Sequence, residues 1–151
     1  MRVGHHVVPP LAPRSGLTLD EAGLTRWGEE LGAASKAPLV VALTGDLGAG
    51  KTTLAQAICR GYGVSDPVTS PTYAIVQQYT SPKSAVYHID LYRLEDSSQL
   101  TNIGWDDITS DRALVIVEWP ERAGDRMPAD PLHIELAYVA DDATKRLLLA
   151  G

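Results

Sequence analysis

Gly45, Asp46, Leu47, Gly48, Ala49, Gly50, Lys51 and Thr52 spell, in full, the pattern glycine, four residues, Gly-Lys-Ser/Thr. Glycines let a backbone take positive φ and turn several N–H groups toward one point. A helix that follows adds its positive N-terminal end, so a polyphosphate meets donors and a favourable field together. Lys51 is expected to reach the β- and γ-phosphates of a nucleotide and the Thr52 hydroxyl to hold Mg²⁺. Thr53 can add a donor near the α-phosphate. The pattern implies a bound nucleotide but not a reaction.

What holds the metal and aims an attacking group comes next. Leu114-Val115-Ile116-Val117-Glu118 is an apolar strand ending in a carboxylate. Parallel α/β folds place ligands at the carboxyl ends of strands, so Glu118 is the natural second arm of a Mg²⁺ site. Val86, His88 and Asp90 share one face of a strand, because strand side chains alternate. Asp90 could orient a water at the γ-phosphate or bond a water on the metal; an acid paired with Arg93 at a strand edge is the plainer alternative. Thr69, Ser70 and Thr72 surround Pro71 after the phosphate-loop helix. A hydroxyl-bearing loop there can act as a switch that senses the γ-phosphate.

These residues need elements to position them. Thr18 with Glu21 three residues later reads as a helix start, and the helix runs to about Ala34, burying Leu24, Trp27 and Leu31. Its stretch around Glu21 to Leu31 is a candidate wall for a base pocket, on order and proximity alone. Leu39 to Leu43 reads as a strand covered on both faces, and Thr52 to about Tyr62 as a helix ended by Gly61 and Gly63. Thr72–Tyr79 and Ala85–Tyr92, joined by Thr80 to Ser84, read as an antiparallel hairpin. Residues 95–112 suggest short helices around Leu100, Ile103 and Trp105. Leu132, Ile134, Leu136 and Tyr138 alternate with His133, Glu135 and Ala137 as in a half-exposed strand, and Asp141-Asp142 turns the chain back. The expected fold is α/β, with a sheet that is parallel at its centre and antiparallel at its edges.

Composition narrows the class. The 151 residues suit one domain, and 44% apolar content argues against disorder. One Cys excludes an internal disulfide, and Cys59 reads as a buried inert thiol. The net charge is −6, but residues 1–83 carry +1 while residues 84–142 carry −9. That balance argues against independent nucleic-acid binding, and the surplus acids are either a solvated face or a docking surface for a basic partner. Pro9, Pro10 and Pro13 break any export signal, so the cytoplasm is the expected compartment. Residues 1–16 read as a flexible tail and 17–151 as the domain. Adjacent His5 and His6 read as solvated side chains of the tail rather than metal ligands, and the set His88, Asp90 and His133 matches no recognised metal spacing.

Together the motifs resemble one family, the bacterial TsaE (YjeE) ATPases of tRNA N6-threonylcarbamoyladenosine (t6A) biosynthesis. The matching strings are Gly45 to Thr53, Ser70-Pro71-Thr72-Tyr73, His88-Ile89-Asp90-Leu91-Tyr92-Arg93-Leu94 and Val117-Glu118-Trp119-Pro120-Glu121-Arg122. The phosphate-loop string is common to thousands of proteins; the latter two are far more specific. The resemblance covers residues ~18–140 and implies a minimal, single three-layer P-loop NTPase domain. It implies a Mg²⁺-dependent ATPase, weak alone, acting with TsaB and TsaD. TsaD would carry out threonylcarbamoyl transfer onto adenosine beside the anticodon, and ATP at this subunit would reset or license the complex. It also implies Thr52 and Glu118 as metal ligands, Lys51, Asp90 and Glu118 as the catalytic set, and Trp119 beside the nucleotide. The first ~15 residues match nothing in the family. Asp141-Asp142-Ala143 replaces a common Gly-Arg turn, leaving Lys145 or Arg146 to supply a basic contact.

Other nucleotide proteins remain to be weighed. A small-molecule kinase would carry an Arg-rich lid, whereas residues 84–142 hold four dispersed arginines among 13 acids. A GTPase would need Asn-Lys-x-Asp, but the sole Asn is Asn102, followed by Ile103. A nucleotide-dependent assembly factor without catalysis stays open, because an arginine finger can come from a partner.

Overall fold

The computed structural model describes residues 16–66 and 75–151. Among these, seven strands form one mixed sheet in the order β1-β7-β6-β2-β5-β4-β3. The elements are β1 (Leu17–Asp20), α1 (Glu21–Ala34), β2 (Leu39–Gly45), α2 (Lys51–Tyr62), β3 (Val76–Thr80) and β4 (Ala85–Asp90). They continue with α3 (Ser98–Asn102), α4 (Trp105–Ser110), β5 (Leu114–Glu118), a 3-10 segment (Pro120–Arg126), β6 (Leu132–Val139) and β7 (Asp142–Ala150). Strands β4, β5, β2 and β6 run parallel, while β3, β7 and β1 pair antiparallel at the two edges. The α/β class and the mixed sheet are as the apolar pattern requires.

Two apolar clusters cover the two sheet faces. One gathers Leu24, Trp27 and Leu31 of α1 with Leu54 and Ile58 of α2 and the strand residues Val41, Leu43, Val86 and Ile116. The other gathers Ile89, Val115 and Val117 with Leu100, Trp105 and Ile108 from the short helices. Helices α1 and α2 meet almost backbone to backbone. A Cβ on Gly61 would lie 2.0 Å from the Glu29 carbonyl oxygen, and one on Gly32 2.1 Å from that of Ile58. Lys83, in the β3–β4 turn, finishes α1 by donating to the carbonyls of Ala33 and Ser35, both at 2.9 Å.

Four sequence expectations change. Thr18 does not cap α1. It lies in β1, paired with Leu147, and Asp20 is the cap, accepting from the Gly23 amide at 2.7 Å. Gly61 lies inside α2, where the helix seam needs it; Gly63 alone ends the helix, at φ 108°. Tyr92 lies beyond β4, which closes at Asp90, and residues 72–74 of the partner strand lie outside the described residues. Tyr138 breaks the inward alternation of β6 and is 47% exposed, next to a register shift between Tyr138 and Val139. Cys59 is buried, and burial pushes its thiol up to about 12. No helix among the described residues is long and apolar enough to cross a membrane.

Candidate functional site

Strand β2 ends at Gly45, whose φ of 148° turns the chain sharply beside β6. A Cβ there would meet the Leu136 carbonyl oxygen at 2.5 Å, so only glycine fits. The loop folds back through an Ala49 amide bond to the Asp46 carbonyl, at 3.0 Å. Gly50 then enters α2 at φ 104°, and no side chain caps the helix. The first turn of α2 therefore faces a cavity of about 350 Å³ lined by Gly50, Lys51, Thr52 and Thr53. The same cavity is lined by Leu47, Gly48, Asp90, Tyr92, Glu118 and Trp119. Of the candidate residues, Leu47 is the loop's exposed tip, at 65%.

Lys51 is 4% exposed. Its Nζ donates to the carbonyls of Gly45 and Asp46, at 2.6 and 2.8 Å. It also sits 4.2 Å from the centroid of the Trp119 ring. Burial lowers the ammonium pKa, and the carboxylates of Glu118, Asp90, Glu121 and Asp46 oppose that shift.

The parallel strands β2, β5 and β4 bring their carboxyl ends together. Glu118 stands beside Leu43 on one side and Asp90 on the other. It is 2% exposed, and the Thr52 hydroxyl donates to its two oxygens at 3.2 and 3.3 Å. Nε2 of the fully buried His88 lies 2.5 Å from the second oxygen. Asp90 accepts the Tyr92 amide at 3.0 Å. Burial raises its carboxyl above the usual range and Glu118 adds to this, while the Tyr92 amide, His88 and Lys51 pull the other way.

Trp119 sits at φ 59° and ψ 51°. Its amide donates to the Leu43 carbonyl at 3.3 Å, which ties this left-handed residue to β2. Its ring meets Tyr92 at 5.0 Å between centroids, and Tyr92 in turn carries the Arg122 guanidinium at 5.6 Å. Tyr92 escaped the sequence reading because its place depends on the turn after β4; its position two residues beyond Asp90 was the available signal. The link from His88 to Glu118 was missed because it crosses two strands. The sequence spacing had only put His88 and Asp90 on one face.

A second cavity, about 310 Å³, opens on the other side of Gly50 and Thr53. Asp20, Glu21 and Leu24 form one wall, and Ala143, Thr144 and Arg146 the other. Of the wall expected from Glu21 to Leu31, Glu21 and Leu24 line this pocket next to the phosphate loop. Arg146, not Lys145, supplies the basic group. Its Nε donates to the Ala49 carbonyl at 3.1 Å, and its guanidinium stacks 4.4 Å from the Tyr138 ring centroid. The Tyr138 hydroxyl donates to the Leu47 carbonyl at 3.1 Å, so β6 and β7 together brace the loop.

Lys51, Thr52, Asp90, Glu118 and Trp119 therefore converge on one cavity. Thr69, Ser70 and Thr72 lie outside the described residues. His133 does not join His88; its Nε2 faces the Thr44 hydroxyl at 3.4 Å. Among the described residues no group of three or more His, Cys, Asp or Glu could hold a metal ion by itself.

Comparison with known proteins places this arrangement. Residues 18–147 match the family described as threonylcarbamoyl adenosine biosynthesis protein TsaE. A TsaE of Nostoc sp. is 38% identical over 125 residues, covering 79% of this chain and 75% of its own. One from Haemophilus influenzae is 35% identical over 136 residues, covering 87% and 85%. The crystal structure of YdiB from Bacillus subtilis shares the fold at a TM-score of 0.71 and 24% identity, covering 89% of this chain and 84% of that one. The chain belongs to the TsaE family of threonylcarbamoyladenosine biosynthesis proteins.

Proposed function

We propose that the protein binds Mg²⁺–ATP and hydrolyses it slowly, serving tRNA t6A modification as a cytoplasmic partner of TsaB and TsaD. The observation that carries this is the meeting of the Thr52 hydroxyl and the Glu118 carboxylate at 3.2 Å, beside a positive-φ glycine loop and the uncapped start of α2. Hard oxygen donors of this kind suit Mg²⁺, which keeps several waters and takes one or two protein oxygens plus phosphate. Thr52 and Glu118 would hold it, and the ion would neutralise charge on the phosphates.

The chain's own groups supply the rest. The loop amides and Lys51 grip the phosphates, with Lys51 exchanging its bonds to Gly45 and Asp46 for phosphate oxygens. Asp90, across the register from Glu118, would orient an attacking water. Trp119 and Tyr92 line the cavity and would limit water access. The pocket of Leu24, Thr144 and Arg146 suits the base and ribose.

The decisive experiment mixes the protein with TsaB and TsaD and follows ATP turnover and co-elution. Raised turnover or a stable complex is expected. A complex that forms with nucleotide but never hydrolyses it would make the protein an assembly factor. Phosphorylation of a metabolite, with no complex formed, would make it a kinase.

A further inference from the structure

His88 has no role in the reading above, yet it is the polar side chain the fold hides most completely. It is 0% exposed, on a strand face it shares with Val86, and Ile116 is its register partner on β5. Both neighbours belong to the apolar cluster under α1 and α2. Its Nδ1 is buried with no hydrogen-bond partner among the described residues, while its Nε2 lies 2.5 Å from Glu118 Oε2. An aliphatic residue would suit that stripe without leaving a ring nitrogen unsatisfied. The imidazole thus stands against the demands of packing, and among the described residues its one hydrogen bond is to Glu118.

We infer that His88 is a positioning residue for Glu118: its Nε2–H fixes one carboxylate oxygen and so presents the other, beside the Thr52 hydroxyl, to a divalent cation. The inference rests on the Mg²⁺–nucleotide reading of the cavity. A carboxylate accepts hydrogen bonds but does not donate, which assigns a proton to Nε2. Without this bond, the Glu118 carboxylate keeps, among the described residues, the Thr52 hydroxyl, which is shared almost equally between its oxygens at 3.2 and 3.3 Å. Such a shared contact does not stop the group from rotating. Partners one layer behind a metal ligand commonly govern affinity in this way.

The test measures ADP affinity by calorimetry, with Mg²⁺ and with EDTA, in the wild type and in His88→Leu and His88→Gln. The Mg²⁺-dependent gain in affinity should fall by about 10–100-fold in His88→Leu, while affinity in EDTA stays unchanged. His88→Gln, which can place an amide N–H near the Nε2 position, should recover most of the gain. A purely structural role would weaken both conditions alike, and a wild-type Mg²⁺ gain in His88→Leu would overturn the inference. Heteronuclear NMR of the wild-type protein without nucleotide gives a second reading that needs no leucine variant. A protected proton on His88 Nε2 is expected, and a ring protonated on Nδ1 alone would overturn the inference. Should the wild type bind no nucleotide in either condition, the proposed function fails, and the NMR result still decides whether His88 holds Glu118.

Discussion

The two cavities share Gly50 and Thr53 but are built in opposite ways. The phosphate side stands at the ends of the central parallel strands, and its charged groups Lys51 and Glu118 are almost fully buried. Its loop and lysine come from one continuous string of residues. The second pocket draws its walls from the start of α1 and from strand β7, which are joined through the edge strand β1. Its basic group, Arg146, braces the loop from 97 residues away in the chain. Central strands covered on both faces hold charge in place; edge strands supply shape that can drift. On that contrast, changes to the buried charged groups of the phosphate side should be costly and specific, and changes on the other side or at exposed positions milder.

The largest expected effect is that of Lys51→Ala, which removes the buried charge. Nucleotide affinity should drop by about 3 kcal/mol or more, roughly a hundredfold, in calorimetry. Unchanged affinity would refute the phosphate-loop assignment and dissolve the contrast.

Arg146→Ala should cost less, about 1–2 kcal/mol. ADP should suffer more than inorganic tripolyphosphate, which lacks a base and ribose. An equal loss for both would mean that the brace on Ala49 outweighs any contact with the nucleoside, and the two sides would then be one unit.

Asp90→Asn should raise thermal stability at neutral pH. The folded carboxyl titrates above the unfolded 3.8, because burial disfavours its charge. The wild type therefore loses stability as pH rises from 3.8 through the raised folded pKa. The gain from the amide should be full at neutral pH and vanish below the unfolded value, as seen in melts across pH. A constant gain at every pH would trace the effect to packing instead.

The smallest effect belongs to Leu47→Ser at the 65% exposed loop tip, with stability within about 0.5 kcal/mol of the wild type in denaturant titration.

Legibility in the sequence followed the same division. The strand, loop and helix from Leu39 to Tyr62 could be read directly, because local pattern and glycine chemistry determine them. Glu118 could be placed because a doubly covered strand announces itself as an unbroken apolar run. The cap at Asp20 was misassigned to Thr18, because strand β1 is defined only by its pairing with residues 145–148, more than a hundred positions away. The stacking of Arg146 on Tyr138 and the bond from His88 to Glu118 share that cause: each is a contact between strands, with no periodicity of its own. Gly61 looked like a stop signal, and only the approach of α1 reveals why a glycine stands inside the helix.

The placement of Trp119 has an optical consequence. The other two indoles, Trp27 and Trp105, are buried in the apolar clusters at 7% and 1% exposure. Trp119 alone is partly open, and it carries a lysine ammonium over its ring at 4.2 Å. A positive charge so close to an indole shifts its electronic levels. Any anion that draws Lys51 away should therefore change the colour and yield of one emitter against two constant ones. The molecule thus carries its own titration signal for the phosphate loop, and Trp119→Phe would silence it while leaving the buried background intact.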